Sequence, residues 1–152
     1  SYNDFDLNFS FQGSYGGKVF NALNQQLEIS TLGTNAATTL VDRWTPTNPS
    51  NEIPRASSSP LGIVSERYVE DASFLRLKLI TLGYTLPKSV SKKLGTKSVK
   101  FYVSAENLIT WTKYTGYDPE VSSYEQNNLY PGIDFGSYPN SKTFISGLNV
   151  TF

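Results

Sequence analysis

The sequence predicts an all-β chain whose long strands belong to a transmembrane antiparallel β-barrel. Three observations predict it. Four stretches alternate apolar and polar residues with a period of two. Each is at least about ten residues long, the length a tilted strand needs to cross the hydrocarbon layer. The connections are unequal, with one short link and long loops elsewhere, the usual asymmetry of such barrels. A soluble sandwich alternates in the same way on its inner faces and stays open as the competing architecture.

The first strand is expected at about 2–15. Asn3, Phe5, Leu7, Phe9 and Phe11 share one face, and Asp4, Asp6, Asn8, Ser10 and Gln12 the other. Gly16 and Gly17 close it. A long connection, 17–72, follows. Within it VFNALNQQLEI sets Val19, Leu23 and Leu27 at helical spacing. WTPTNPSNEIPRASSSP reads as an ordered loop, and connections of this length tend to be functional; the plainer reading is a mobile insertion. The second strand, about 73–86, puts Leu75, Leu77 and Leu79 on one parity but Ile80, Leu82 and Tyr84 on the other. A β-bulge near Leu79–Ile80 accounts for the switch. Burial on both faces is the alternative, and it requires partners for Arg76 and Lys78.

The basic link KSVSKKLGTKSVK leads into the third strand, about 98–112. Val99, Phe101, Val103, Ala105, Ile109 and Trp111 share a face broken by Asn107. Trp111 and Tyr114 lie where an interfacial aromatic belt would hold them. A second long connection, 113–142, precedes the closing strand, about 143–152. There Phe144, Leu148, Val150 and Phe152 share a face with Ser146. The strand stays apolar to Phe152, whereas chain ends are usually loose and polar.

Composition narrows the function. Thirteen basic residues balance thirteen acidic ones, so no net field recruits a charged partner, nucleic acid included. Charged residues reach 17%, against about 25% in ordinary soluble domains. Cys, His and Met are absent, which excludes disulfides, thiolate chemistry, Cys/His metal sites and histidine acid–base catalysis. No enzyme is expected and no cofactor. Asp118, Glu120, Glu125 and Asp134 fall in the second long loop, but their spacing fits no compact calcium loop, and a solvated loop face is the default. Lys88, Lys92, Lys93, Lys97 and Lys100 could touch acidic lipid or nucleic acid; a solvated turn is the plainer reading. Trp44 and the loop tyrosines could stack on sugars or on a partner protein, or brace their own loops.

Several stretches together resemble the C-terminal end of SusC/RagA-type TonB-dependent outer-membrane transporters. They are DRWTPTNPSNEIPRA, EDASFLRLKLITLGYTLP, VKFYVSAENLITWTKYTGYDPEV and YPNSKTFISGLNVTF, in this order. The family commonly has Asn where this chain has Leu79. The resemblance implies a 22-stranded barrel around an N-terminal plug, of which this chain holds the last four strands. It implies energy from TonB through the missing N-terminal part, a SusD-like surface lipoprotein as lid, outer-membrane lipids around the wall, and oligosaccharide or peptide cargo. It puts the C-terminus and the 87–98 link in the periplasm and both long loops outside. Phe152 then looks like the recognition signal of the assembly machinery. Trp44, Tyr117, Tyr124, Tyr130 and Tyr138 become candidate lid or cargo contacts. A secreted β-sandwich glycan binder or adhesin is the alternative, and a self-assembling structural β protein a third class.

Overall fold

A computed structural model describes residues 1–28, 35–56, 64–120 and 132–152. In chain order the elements are β1 (Phe5–Ser14), β2 (Lys18–Asn21), α1 (Ala22–Glu28), β3 (Val69–Asp71), β4 (Phe74–Thr85), α2 (Lys88–Lys93), β5 (Ser98–Thr112), β6 (Ile133–Asp134) and β7 (Thr143–Thr151). Short 3-10 turns occupy Thr38–Asp42 and Glu66–Tyr68. They sort into two compact units. One is Ser1–Tyr15, Ser73–Lys113 and Pro139–Phe152; the other is Gly16–Ala72 and Tyr114–Tyr138.

The first unit is a four-stranded antiparallel sheet in the order β1-β4-β5-β7. Consecutive long strands are neighbours, as in a barrel wall. The pairing aligns one apolar row across all four: Leu7 opposite Leu82, Leu82 opposite Val103, and Val103 opposite Ser146, with Phe101 opposite Leu148 one step along. The row is not covered. Phe9 is 57% exposed, Val103 58% and Leu148 55%. A sandwich buries such a face against a second sheet, so the exposure goes against that alternative.

The face switch in β4 is a register shift. Ser10 and Phe11 of β1 pair with Leu79 and Leu77, so Lys78 is an extra residue. Against β5 the shift falls at the same place, where Leu77 pairs with Ile109 and Leu79 with Glu106. Asn107, with a φ of 51°, sits in this irregularity and donates its side-chain amide to the Ser141 carbonyl at 3.0 Å. The shift puts Leu75 and Leu77 on the face of Ile80, Leu82 and Tyr84. Leu79 alone joins the polar face, opposite Ser10 and Glu106. An amide, common there in the resembling family, would suit that face.

Three expectations need correcting. The helix begins at Ala22, because Lys18–Asn21 form β2. Asn21 ends the strand and caps the helix, its Oδ1 accepting from the Asn24 backbone N–H at 2.9 Å. The 87–98 link is no plain turn but holds α2, closed by Gly95 at a φ of 72°. Tyr114 is no belt residue: it is buried, packed with Val19 and Ala72.

The second unit centres on a small sheet, β3-β2-β6. β2 pairs antiparallel with β3 and parallel with β6. Segments from both long connections therefore share one sheet.

Candidate functional site

The polar face of the large sheet is organised by paired side chains. Lys100 Nζ lies 2.9 Å from Asp6 Oδ1 and crosses over Gly83, where a Cβ would lie 2.6 Å from Lys100 Cε. Lys100 thus belongs to this face, not to the basic turn. The Tyr102 ring lies over Gly147, its direct partner on β7. Thr81 and Ser104 share a hydrogen bond of 2.8 Å. Arg76 is buried with its Nε donating to Thr110 Oγ1 at 2.9 Å and its guanidinium over the Phe74 ring at 5.4 Å. These satisfied groups answer the need that its position creates. A polar face carrying an ion pair, opposite a bare apolar face, is the pattern of a barrel wall.

In the second unit a polar network ties the two connections together. Asp134 is fully buried; its Oδ1 accepts from the backbone N–H groups of Gly136 at 2.8 Å and Ser137 at 2.9 Å. Tyr114 donates its hydroxyl to Asp134 Oδ2 at 2.5 Å. Burial, then the hydrogen bond to Asp134 and the carboxylate charges of Asp134 and Glu70, hold the Tyr114 hydroxyl protonated well above the usual tyrosine range. Nearby, Glu70 accepts from Asn21 Nδ2, from the Thr115 backbone N–H and from the Thr115 hydroxyl, each at 2.8 Å. Little in the sequence signals this network, since the side chains it joins to one another lie 20 to 94 residues apart. The nearest signal was GIDFG, where glycines at positive φ bracket Asp134.

Two of the four acidic residues are not on a solvated face. Asp118 and Asp134 are both buried, and Asp118 Oδ1 accepts from the Glu120 backbone N–H at 2.9 Å. Glu125 lies outside the described residues. Among the described residues no group of His, Cys, Asp or Glu is placed to hold a metal ion.

Trp44 is partly exposed, and its backbone N–H donates to the Ile53 carbonyl at 2.9 Å, which anchors the Thr45–Asn48 turn. Tyr117 and Tyr138 are exposed. No ring contact joins Trp44 to Tyr117 among the described residues. Tyr124 and Tyr130 lie outside the described residues. Phe152 follows the last residue of β7 and is exposed.

No protein-family model matches the chain. TonB-dependent receptor P3 of Formosa agariphila is 42% identical over 155 residues, covering 99% of this chain and 15% of that receptor. TonB-dependent receptor SusC of Bacteroides thetaiotaomicron is 33% identical over 155 residues, covering 99% of this chain and 14% of SusC. The solved RagAB peptide transporter superposes on all of this chain with a TM-score of 0.83 at 30% identity, using 16% of its own chain. The chain belongs to the SusC/RagA-type TonB-dependent receptors.

These receptors are β-barrel proteins of the outer membrane, so the four-stranded sheet is a piece of barrel wall. The chain spans about 15% of the length of the curated receptors it matches. Its relatives are receptors and transporters, not enzymes. No helix among the described residues is long and apolar enough to cross a membrane, which leaves a β-barrel crossing untouched.

Proposed function

We propose that this chain supplies wall strands and outer loops to an active transporter. That transporter imports oligosaccharides or peptides with energy delivered through TonB and pairs with a SusD-like lid lipoprotein. The observation that carries the reading is the two-faced sheet, with an uncovered apolar row from Phe5 to Leu148 on one side and the Asp6–Lys100 pair on the other. An open edge in lipid leaves backbone groups unpaired at several kcal/mol each. The free edges of β1 and β7 are therefore completed by the remainder of the same barrel.

The orientation belongs to the same proposal. Both long connections leave one end of the sheet: Ser14 pairs with Phe74, and Phe74 with Thr112. The α2 link and Phe152 lie at the other end. The long connections face the exterior, and the α2 link and C-terminus the periplasm. Spin labels at Phe101, Val103, Leu148 and Val150 of the full-length receptor test the wall. Collision with lipid-dissolved oxygen is expected at all four. Collision with an aqueous nickel chelate instead would return the chain to the sandwich class.

A further inference from the structure

The α2 link is the one basic segment the transport reading leaves unused. From 87 to 98 it holds four lysines and no acidic residue. Lys88, Lys92, Lys93 and Lys97 are all exposed. None of them forms an ion pair among the described residues. The fifth lysine, Lys100, is taken up by Asp6. Beside these lysines two apolar side chains are also open, Val90 at 40% exposed and Leu94 at 61%. Val90 lies in α2 and Leu94 caps its C-terminus four residues on, the Leu94 backbone N–H donating to the Val90 carbonyl at 3.2 Å. Ser91, by contrast, is fully buried.

Position adds to composition. α2 packs against β5. The apolar row of β5 runs Val103, Phe101, Val99 toward this end. Phe101 and Val103 are half-exposed or more, while Val99 is only 5% exposed. On β5 the bare row therefore stops where the α2 link begins. In a membrane, that level is where hydrocarbon gives way to phosphate.

We propose that the α2 link is an anionic-lipid foot: Val90 and Leu94 enter the acyl boundary of the adjacent leaflet, and Lys88, Lys92, Lys93 and Lys97 hold phospholipid phosphates around them. The chemistry is that of interfacial segments, which join a small apolar face to surrounding cations. The ligand is the phosphate of a lipid headgroup, and continuity with the wall singles out lipid over free phosphate. This rests on the barrel-wall reading.

The test uses full-length receptor in nanodiscs, with a nitroxide on Leu94→Cys and, separately, on Leu148→Cys. In discs containing phosphatidylglycerol, the label at 94 is expected to favour oxygen over the nickel chelate. In phosphatidylcholine discs the preference falls severalfold. Replacing the four lysines by Gln removes the difference between the two disc types. Inorganic phosphate added to phosphatidylcholine discs does not restore it. An aqueous signal at 94 in both disc types, with a lipid signal at 148, overturns the foot and leaves the wall intact. An aqueous signal at 148 overturns the wall itself. Restoration by inorganic phosphate overturns the lipid assignment in favour of a soluble anion.

Discussion

At the scale of single residues, two glycines of the wall make a direct comparison. The three atoms nearest a Cβ at Gly83 are outer atoms of Lys100 and Asp6, a partly exposed pair that can swing aside. A Cβ at Gly13 meets the Phe74 backbone carbonyl oxygen at 2.7 Å, which cannot move without the strand. Gly83→Ala is expected to cost at most about 1 kcal/mol, in line with an exposed ion pair. Gly13→Ala is expected to cost about 1–3 kcal/mol, the usual range for overpacking. Denaturation of the folded receptor ranks them, and an equal or inverted ranking contradicts the geometry. Asp134 makes the stronger case in the loop unit. Asp134→Ala removes the carboxylate that the Tyr114 hydroxyl and two backbone donors bond to, at about 1–3 kcal/mol each where burial persists. Hydrogen exchange at Gly136 and Ser137 should rise sharply while exchange in β4 and β5 does not. Tyr114 adds a pH signature. Its folded value is raised above the ordinary 10.0, so its stabilisation is present below that pH and fades as the pH climbs past it. The parent's advantage over Tyr114→Phe is therefore expected at neutral pH and should shrink above about pH 10. An advantage that is constant with pH would mean the hydroxyl titrates normally.

At the scale of elements, the sequence showed most where period two was unbroken. β1 and β7 could be assigned face by face, and the pairing of Leu7, Leu82 and Val103 follows from that alternation. β4 was harder, because Leu79 is apolar on the polar face. Parity alone grouped it with Leu75 and Leu77, and the extra residue proved to be Lys78. β2 and β6 were illegible for a different reason. At four and two residues they carry no period, and their pairing joins segments about a hundred positions apart. Tyr114 misled because its neighbour Trp111 does sit at the exposed strand end, while one more turn of chain buries Tyr114 beside Asp134. The apolar row on β7 gives the prediction at this scale. Leu148→Arg should destabilise the assembled barrel by roughly 2–4 kcal/mol if the residue lies at mid-membrane depth. Asn149→Arg, on the opposite face beside Lys100, should cost much less in the same unfolding assay. Equal costs would mean that neither face meets lipid.

At the scale of the whole molecule, the chain's ends and loops matter more than its core. β7 stays apolar up to an exposed Phe152, and its Thr151 carbonyl accepts from the Lys97 backbone N–H at 2.7 Å, so the strand is held nearly to its end. Phe152→Asp is expected to lower the yield of heat-modifiable barrel in cells while changing the unfolding of already assembled receptor much less. Unchanged yield would leave Phe152 as an ordinary packing residue. The loop unit raises the last question. Among its described residues Asp134, Tyr114 and Asn21 are buried and hydrogen-bonded within the unit. On its surface Trp44, Tyr117 and Tyr138 stand exposed. Aromatic rings give much contact area for little ordering entropy, whether against a lid lipoprotein or a sugar ring. Trp44 is the better placed of the first two, because its backbone is fixed to Ile53 and the ring needs no loop ordering on contact. Alanine at Trp44 and Tyr117 together should weaken lid affinity or cargo uptake by about tenfold or more, on the scale of 1–2 kcal/mol for interface aromatics. Barrel yield should stay at the parent level, since neither ring belongs to the buried network. If affinity and uptake both persist with normal yield, Trp44 and Tyr117 are not the contacts, and lid and cargo are held by other residues of the receptor.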